Sequence, residues 1–475
     1  MNYYGRDVFE TRLLKKIIKS GNSHILYFWN ELSDFEKDFF IDEIERLDFK
    51  LIQEYFAMYQ NNGKIEQKFS EPKYTSLSSI RENKEVYKIG EKSFRNGQVA
   101  ILTVAGGQGS RLGLDMPKGC FPISPIKKKS LFQIFAEKIA FYSNYYKNDL
   151  KWFIMTSEEN YQSTKSFFEE SRYFNLKKRN IVFFNQGMLP TLTFDGKLIL
   201  KEKNQILLNP DGHGGILKAL LKMGLLNEIK DRGIKYLSYC QVDNPLARLV
   251  DPYFLGAHIS ENSYVSTKVI RVNYPREKMG RAVESNGINK VIEYSDLTED
   301  KLNKKDSNGE YIYGLGSIAV HIFNVPFLLR WTKKLPIHFA KKISSGYKYD
   351  ENGNLTKKEI DTIKFETFIF DTIPMAKKSI FFETKREEEF APLKNKEGDD
   401  SIETATKLQI NFFSEWLVKS GLVSKDNIKD KIVEISPNYA PNFEIFLEKQ
   451  TKEADKLKSL IYSFDGSVKD EIYIE

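Results

Sequence analysis

Apolar positions recur at helical spacing over residues 1 to about 95, and that stretch is predicted to be helical. Ser33-Asp-Phe-Glu36 has the form of a capping box. The helix behind it places Phe39, Phe40, Ile44, Leu47, Leu51 and Ile52 near one face. Glu71-Pro72 begins a polar connector, and Val86 to Phe94 returns the chain to a central sheet. From Gly97 to about Lys385 short apolar runs alternate with helical patterns, which predicts an α/β core with a mostly parallel sheet. The runs at 99–104, 152–155, 181–184, 236–242, 265–272 and 290–294 are the predicted strands. Ser130 caps a predicted helix over 131–146, Ser157 opens the next, and another covers 216–226. Residues 346–353 form a polar turn region with Asn352-Gly353 as a hairpin signal. The charged run from Lys385 to Glu389 is expected to be a solvated face, and a helix is predicted near 403–419. The expected division is a helical N-terminal domain (1–95), an α/β domain (96–385) and a small C-terminal domain (386–475).

Composition narrows the classes. A chain of 475 residues with 41% hydrophobic and 13% aromatic residues is globular. Lys and Arg exceed Asp and Glu by 72 − 65 = 7, a surplus too small and too scattered for a nucleic-acid face. Two cysteines, Cys120 and Cys240, build no disulfide framework, and five scattered histidines with no CxxC or HExxH argue against zinc. The charged start Met-Asn-Tyr-Tyr-Gly-Arg-Asp has no apolar segment behind it, so neither a signal peptide nor a membrane span is expected. A cytoplasmic protein, monomeric or weakly homo-oligomeric, is the expectation.

The chemistry centres on Val99-Ala-Ile-Leu-Thr-Val-Ala-Gly-Gly-Gln-Gly-Ser-Arg-Leu-Gly113 and Met116-Pro-Lys-Gly119. A buried strand runs into Ala105, Gly106, Gly107, Gln108 and Gly109, whose backbone N–H groups can approach an anion closely. Arg111 adds a planar fork and Lys118 a point charge, so the loop reads as a polyphosphate site. It lacks the Gly-Lys-Ser/Thr of a P-loop, and Leu112 stands where a dinucleotide fingerprint needs Gly. Asp211-Gly-His-Gly-Gly215 is a second glycine loop with open amides suited to a base or phosphate. Asp243, ending an apolar strand, could hold a divalent cation against phosphates or simply cap a turn. Gln186 has an amide that suits the imide edge of uracil. Lys394 puts one cation on the apolar turn of Phe390-Ala-Pro-Leu-Lys-Asn395.

The first loop resembles the nucleotide loop of sugar nucleotidyltransferases, and Gln108 narrows the likeness to the eukaryotic-type UDP-sugar pyrophosphorylases. Met188-Leu-Pro190, Pro210 to Gly215, Val242-Asp-Asn244, Val291-Ile-Glu-Tyr-Ser295, Phe368-Ile-Phe-Asp371 and Phe390 to Asn395 resemble UDP-N-acetylhexosamine pyrophosphorylase motifs, in order, over about 97–395. The resemblance implies an α/β fold: a Rossmann-like nucleotidyltransferase core with a mostly parallel central sheet, a helical N-terminal part and a small C-terminal domain. It implies a magnesium-dependent reaction of UTP with a sugar 1-phosphate, giving UDP-sugar and pyrophosphate. By position it implies that the loop from Ala105 to Gly109, with Arg111 and Lys118, holds the UTP phosphates, and that Gln186 and Gly212, with His213 beside it, hold uracil. Asp243 would bind Mg2+, Gly280, Glu293 and position 317 would contact the sugar, Phe368 and Phe370 would wall the acetamido pocket, and Lys394 would neutralise the sugar phosphate. Ser317 and Val320 stand where the family usually has Asn, and His213 replaces another Asn, as in UDP-glucose pyrophosphorylases. An N-acetylglucosamine 1-phosphate uridylyltransferase is the leading expectation. A glucose enzyme and a non-catalytic nucleotide-sugar-binding regulator are the alternatives.

Overall fold

The computed structural model describes residues 12–61, 68–113, 115–350 and 352–475. The helical pattern expected at 1–11 and 62–67 lies outside them. The chain divides into two compact units. One comprises Met1–Gln67, Gly187–Ile216 and Lys334–Ile369; the other comprises Lys68–Gln186, Leu217–Lys333 and Phe370–Glu475. These groupings do not follow the serial expectation of breaks at 95/96 and 385/386, because each unit is assembled from segments far apart in the chain.

In the first unit, Ser33 and Glu36 form the capping box of the helix Asp34–Glu45, and Asp48 caps Phe49–Gln60. Their apolar faces (Phe40, Ile44 and Ile52 among them) share a core with Leu192, Leu200, Leu355 and Ile363. The last two belong to a long antiparallel hairpin, His338–Tyr349 with Leu355–Glu366, so the N-terminal helices cover a sheet. The hairpin signal at Asn352-Gly353 is met, with Gly353 at positive φ. Gly346 to Tyr349 extend the strand where the sequence predicts a turn. At Gly346 a Cβ would lie 2.5 Å from Ile199, so the glycine there answers a close approach of strands.

The second unit is built on a sheet of ten strands. They are β1 (Tyr74–Ser76), β2 (Val99–Val104), β3 (Lys151–Thr156), β4 (Ile181–Asn185), β5 (Tyr236–Gln241), β6 (Val265–Arg271), β7 (Arg281–Ser285), β8 (Ile288–Ile292), β9 (Leu315–Asn324) and β10 (Ser379–Glu383). The main order is β1-β10-β6-β9-β5-β2-β3-β4. Along it only β9 runs antiparallel to its neighbours, so the mostly parallel expectation holds. The hairpin β7–β8 joins through Arg281 opposite Gly316, and turns at Asn286-Gly287, both at positive φ. Helix α1 (Leu131–Tyr146) starts at the predicted cap, Ser130, whose hydroxyl accepts the Gln133 N–H. Its Phe132, Phe135 and Ile139 pack in one core with Ile101, Trp152 and Phe254. The C-terminal stretch adds a helix, Ile402–Lys419, and a separate apolar cluster that includes Trp416, Val433, Phe446 and Ile472.

Three helix expectations shift. The one helix expected behind Ser33 is two, Asp34–Glu45 and Phe49–Gln60, and Phe39 is exposed. Ser157 does not open a helix: its N–H donates to Asn160 Oδ1 (2.8 Å) and its hydroxyl accepts the Asn160 N–H (3.2 Å), and the helix begins at Tyr161. That reciprocal pair uses the Ser side chain in a turn. The helix expected over 216–226 is two, Gly215–Lys222 and Leu225–Asp231, broken at Gly224 in the left-handed region.

Candidate active site

Four parallel strands, β5, β2, β3 and β4, end side by side. In register, Gln241 faces Val104, Val104 faces Met155, and Thr156 faces Asn185. The residues that leave these ends are Asp243, Ala105, Ser157 and Gln186. Ligands of open α/β sheets collect at such carboxyl ends. The Ala105 N–H donates to Met155 O, the Val242 N–H to Val104 O and the Gln186 N–H to Thr156 O, so the pairing continues into the loops. A Cβ on Gly106 would lie 3.0 Å from Gln186 Oε1, so the bare backbone there admits the Gln186 carboxamide. A Cβ on Gly107 would meet nothing within 4 Å among the described residues.

The first glycine loop then folds back on itself. Gln108 bridges Pro117, the Gly109 N–H donates to Met116 O and the Lys118 N–H to Gly107 O (3.1 Å). Lys118 is thereby returned to the glycines, half-buried, while Arg111 lies exposed on the turn Ser110–Leu112. Gly119 sits directly against the Phe132 ring, and a Cβ there would fall 2.2 Å from it. Cys120 and Cys240 are buried thiols pushed up to about 12 by desolvation, which fits apolar filling.

Asp243 and Lys394 are brought together through the backbone. The Leu393 N–H donates to Asp243 O (2.8 Å), so Lys394 stands immediately beside the end of β5. Lys394 Nζ is 3.0 Å from Asp400 Oδ2. The segment follows the charged run, whose expected solvated character holds for the exposed Lys385 and Glu387 and fails at Arg386, Glu388 and Glu389. Glu389 is fully buried, accepting from Lys268 Nζ and Thr384 Oγ1. Lys268 also donates to Asp251 (2.7 Å). Glu388 pairs with Arg81 (2.6 Å), and Arg386 with Glu277 (2.8 Å). Buried charges persist when paired and hydrogen-bonded. Besides the local Lys385–Glu388 pair, these charged partners stand 109 to 307 residues away along the chain.

Gly280, Glu293 and Ser317 also converge. The Ser317 N–H donates to Gly280 O (2.8 Å), and Arg281 pairs with Ile292, setting Glu293 across from Gly280. The Ser317 hydroxyl accepts the Ala319 N–H (3.3 Å) at a bulge where Ala319 has positive φ. Val320 is buried in the core, an environment in which an apolar residue replaces Asn at no polar cost.

The second glycine loop belongs to the first unit. The Gly214 N–H donates to Thr367 O, the Gly215 N–H to Gly212 O and the Thr367 N–H to Asp211 O. Two of the amides expected to be open are therefore committed to the protein. Gly212 has φ +83°, and a Cβ there would meet Thr367 O at 2.4 Å. The His213 ring stacks on Phe368 (5.3 Å between centroids), and its Nδ1 accepts the Ile369 N–H. His338 packs on the same phenylalanine (4.5 Å). Burial, helped by His338, pushes the His213 imidazole down to about 4, so it is neutral at pH 7. Phe370 lies in the second unit, on the short turn Ile369–Asp371.

The sequence model described as UTP–glucose-1-phosphate uridylyltransferase matches residues 48–435. The chain belongs to this family. Among relatives, a UDP-N-acetylglucosamine pyrophosphorylase of Saccharomyces cerevisiae is 33% identical over 447 residues, 88% of this chain and 93% of that one. UDP-N-acetylglucosamine diphosphorylase 1 of Arabidopsis thaliana is 33% identical over 437 residues, 86% of this chain and 84% of that one. The crystal structure of the Trypanosoma brucei uridine diphosphate N-acetylglucosamine pyrophosphorylase shares the fold, with a TM-score of 0.80 at 23% identity and 98% of each chain covered. In this family member, Asn244, Lys138 and the buried Lys268–Glu389 pair hold the segments that carry Asp243 and Lys394, without being recognisable for that from the sequence. Asn244 alone stands inside a motif; the other three carry no local signal.

No helix among the described residues is long and apolar enough to cross a membrane. Among them no three His, Cys, Asp or Glu side chains cluster as a metal cage. Asp243 offers one carboxylate at a strand end, and magnesium takes one or two carboxylates together with phosphate oxygens and water, so the donor fits that ion once a phosphate is bound.

Proposed function

We propose that this protein is a uridylyltransferase that forms UDP-N-acetylglucosamine and pyrophosphate from UTP and N-acetylglucosamine 1-phosphate. The observation that carries the reading is the likeness over nearly the whole chain to relatives named for that product. The geometry supports it: a glycine loop with Arg111 and Lys118, Gln186 and Asp243 at the outer two of four strand ends that lie side by side, and Lys394 next to the residue, Leu393, that bonds Asp243 O. A phosphate oxygen of the sugar phosphate attacks the α-phosphorus of UTP in line, and pyrophosphate leaves. That nucleophile is already anionic near neutral pH, so catalysis consists of positioning and charge stabilisation.

In this scheme the glycine loop cradles the UTP phosphates, and Arg111 and Lys118 stabilise the leaving pyrophosphate. Gln186 hydrogen-bonds uracil, a role the family likeness extends to Gly212. Gly280, Glu293 and Ser317 form the sugar contact. The His213 ring supports Phe368, to which the family likeness assigns an acetamido contact, as it does to Phe370. Lys394 neutralises the sugar phosphate. Asp243 would hold magnesium, whose charge would offset that of the phosphates.

A second reading, UTP–glucose-1-phosphate uridylyltransferase, is favoured by Ser317, whose short side chain is engaged with its own bulge. Pyrophosphate release with the two sugar phosphates side by side decides. Preference for N-acetylglucosamine 1-phosphate upholds the first reading, preference for glucose 1-phosphate the second, and release with neither removes both.

A further inference from the structure

We infer that Asn244 is a positioning residue: its carboxamide clamps the loop carrying Asp243 to the buried segment that ends in Lys394, and so sets the sugar-phosphate side of the site. The inference rests on the uridylyltransferase reading.

Asn244 is 4% exposed. Its Nδ2 donates to Glu389 O (2.7 Å), and its Oδ1 accepts the Ala391 N–H (3.0 Å). These are the two bonds a neighbouring strand would make to that backbone. The bond from the Leu393 N–H to Asp243 O adds a third rung, and Lys394 is the next residue. Removing the carboxamide leaves Glu389 O and the Ala391 N–H buried without it, so the segment must shift to find other partners.

Both sides of the clamp are anchored. Lys138 Nζ donates to Pro245 O (2.7 Å) and Ala247 O (3.0 Å), which fixes the loop after Asn244. The Glu389 side chain is fixed by Lys268 and Thr384, and Phe390, Ala391 and Leu393 are buried. The short hydrogen bonds between these two fixed bodies are those of the carboxamide and the main-chain rung, beside longer ion pairs of Arg248 with Glu388 (3.5 Å) and Glu389 (3.9 Å).

An ordinary turn Asn would need only Oδ1, which here also accepts the Leu246 N–H (3.2 Å). Asp would serve such a turn equally well. The donation from Nδ2 to Glu389 O is what a turn does not require and Asp cannot supply.

The test is steady-state kinetics on Asn244→Ala and the isosteric Asn244→Asp, alone and combined with Lys394→Ala. The expected result for the single variants is a rise in KM for N-acetylglucosamine 1-phosphate of about tenfold or more, with KM for UTP nearly unchanged. In the Lys394→Ala background the same change adds less than about twofold, because the group it positions is gone. Should the alanine variant fail to fold, Asn244→Asp gives the same split, since it keeps Oδ1 and puts an acceptor where the donor to Glu389 O stood. A purely structural Asn would lower melting temperature and active fraction while leaving both KM values alone, and that outcome overturns the inference. Equal losses in both backgrounds overturn it too. Wild-type protein that releases no pyrophosphate overturns the reaction itself, whereas wild-type turnover with unchanged KM in both variants overturns only the clamp.

Discussion

Replacing Gly119 by Ala tests whether the position of Lys118 is set by packing. The added Cβ would stand 2.2, 2.4 and 2.6 Å from three carbons of the Phe132 ring. Carbon atoms pack at about 3.5–4.0 Å, so ring and turn must part by roughly 1.3 Å. The ring cannot give way. It is fully buried, with Trp152 edge-on at 6.2 Å and Phe168 edge-on at 5.0 Å between centroids. The turn Lys118–Cys120 moves instead, and Lys118 moves with it. Overpacking of this kind costs about 1–3 kcal/mol. A misplacement of about 1 Å in a charge-stabilising group can cost about a hundredfold in rate. Pyrophosphate release should therefore fall far more than stability, which a thermal melt would report as a loss of a few degrees. Phe132→Leu in the same chain makes room and should return part of the rate despite its own cavity cost. Wild-type kcat in Gly119→Ala, or no recovery in the double variant, would refute the reasoning.

Lys118→Ala should lose on the order of a thousandfold in turnover with its melting temperature retained; near-normal kcat removes it from the mechanism. Asp243→Asn should keep the fold and lose about a hundredfold or more of its magnesium-dependent rate, and turnover with unchanged magnesium dependence would mean the carboxylate binds no metal. His258 is buried between the Ser266 hydroxyl and Asn324 Oδ1, and burial pushes its imidazole down to about 4. The unfolded chain takes up that proton near pH 6.5 and the folded one refuses it down to about 4, so stability falls as pH drops through this window. Between pH 7 and 5 the wild type should lose about 2 kcal/mol that His258→Asn does not; equal slopes in urea titrations would contradict it.

The sequence by itself determined what is local. Strands β2 to β6 fall within a residue or so of their apolar runs, because a buried parallel strand needs a continuous apolar stretch. The caps at Ser33 and Ser130 were legible because a helix start has a short side-chain signature. The strand that runs into the glycine loop, and the strand that Asp243 follows, could be placed because an apolar run that stops at glycines or polar turn residues is a local pattern. What only the tertiary structure decided is what distant segments do to one another. Ser157 lost its helix start to a turn with Asn160, a choice between two local hydrogen-bond patterns that spacing does not rank. The run at 385–389 looked solvated because its counter-charges, Arg81, Lys268 and Glu277, lie far along the chain. Leu393, the residue before Lys394, reached Asp243 through a main-chain hydrogen bond, and Asn244 found its partners across 145 and 147 residues. Backbone donors and acceptors are the same at every position, so no residue pattern announces which of them will meet; only the folded register brings the pair together.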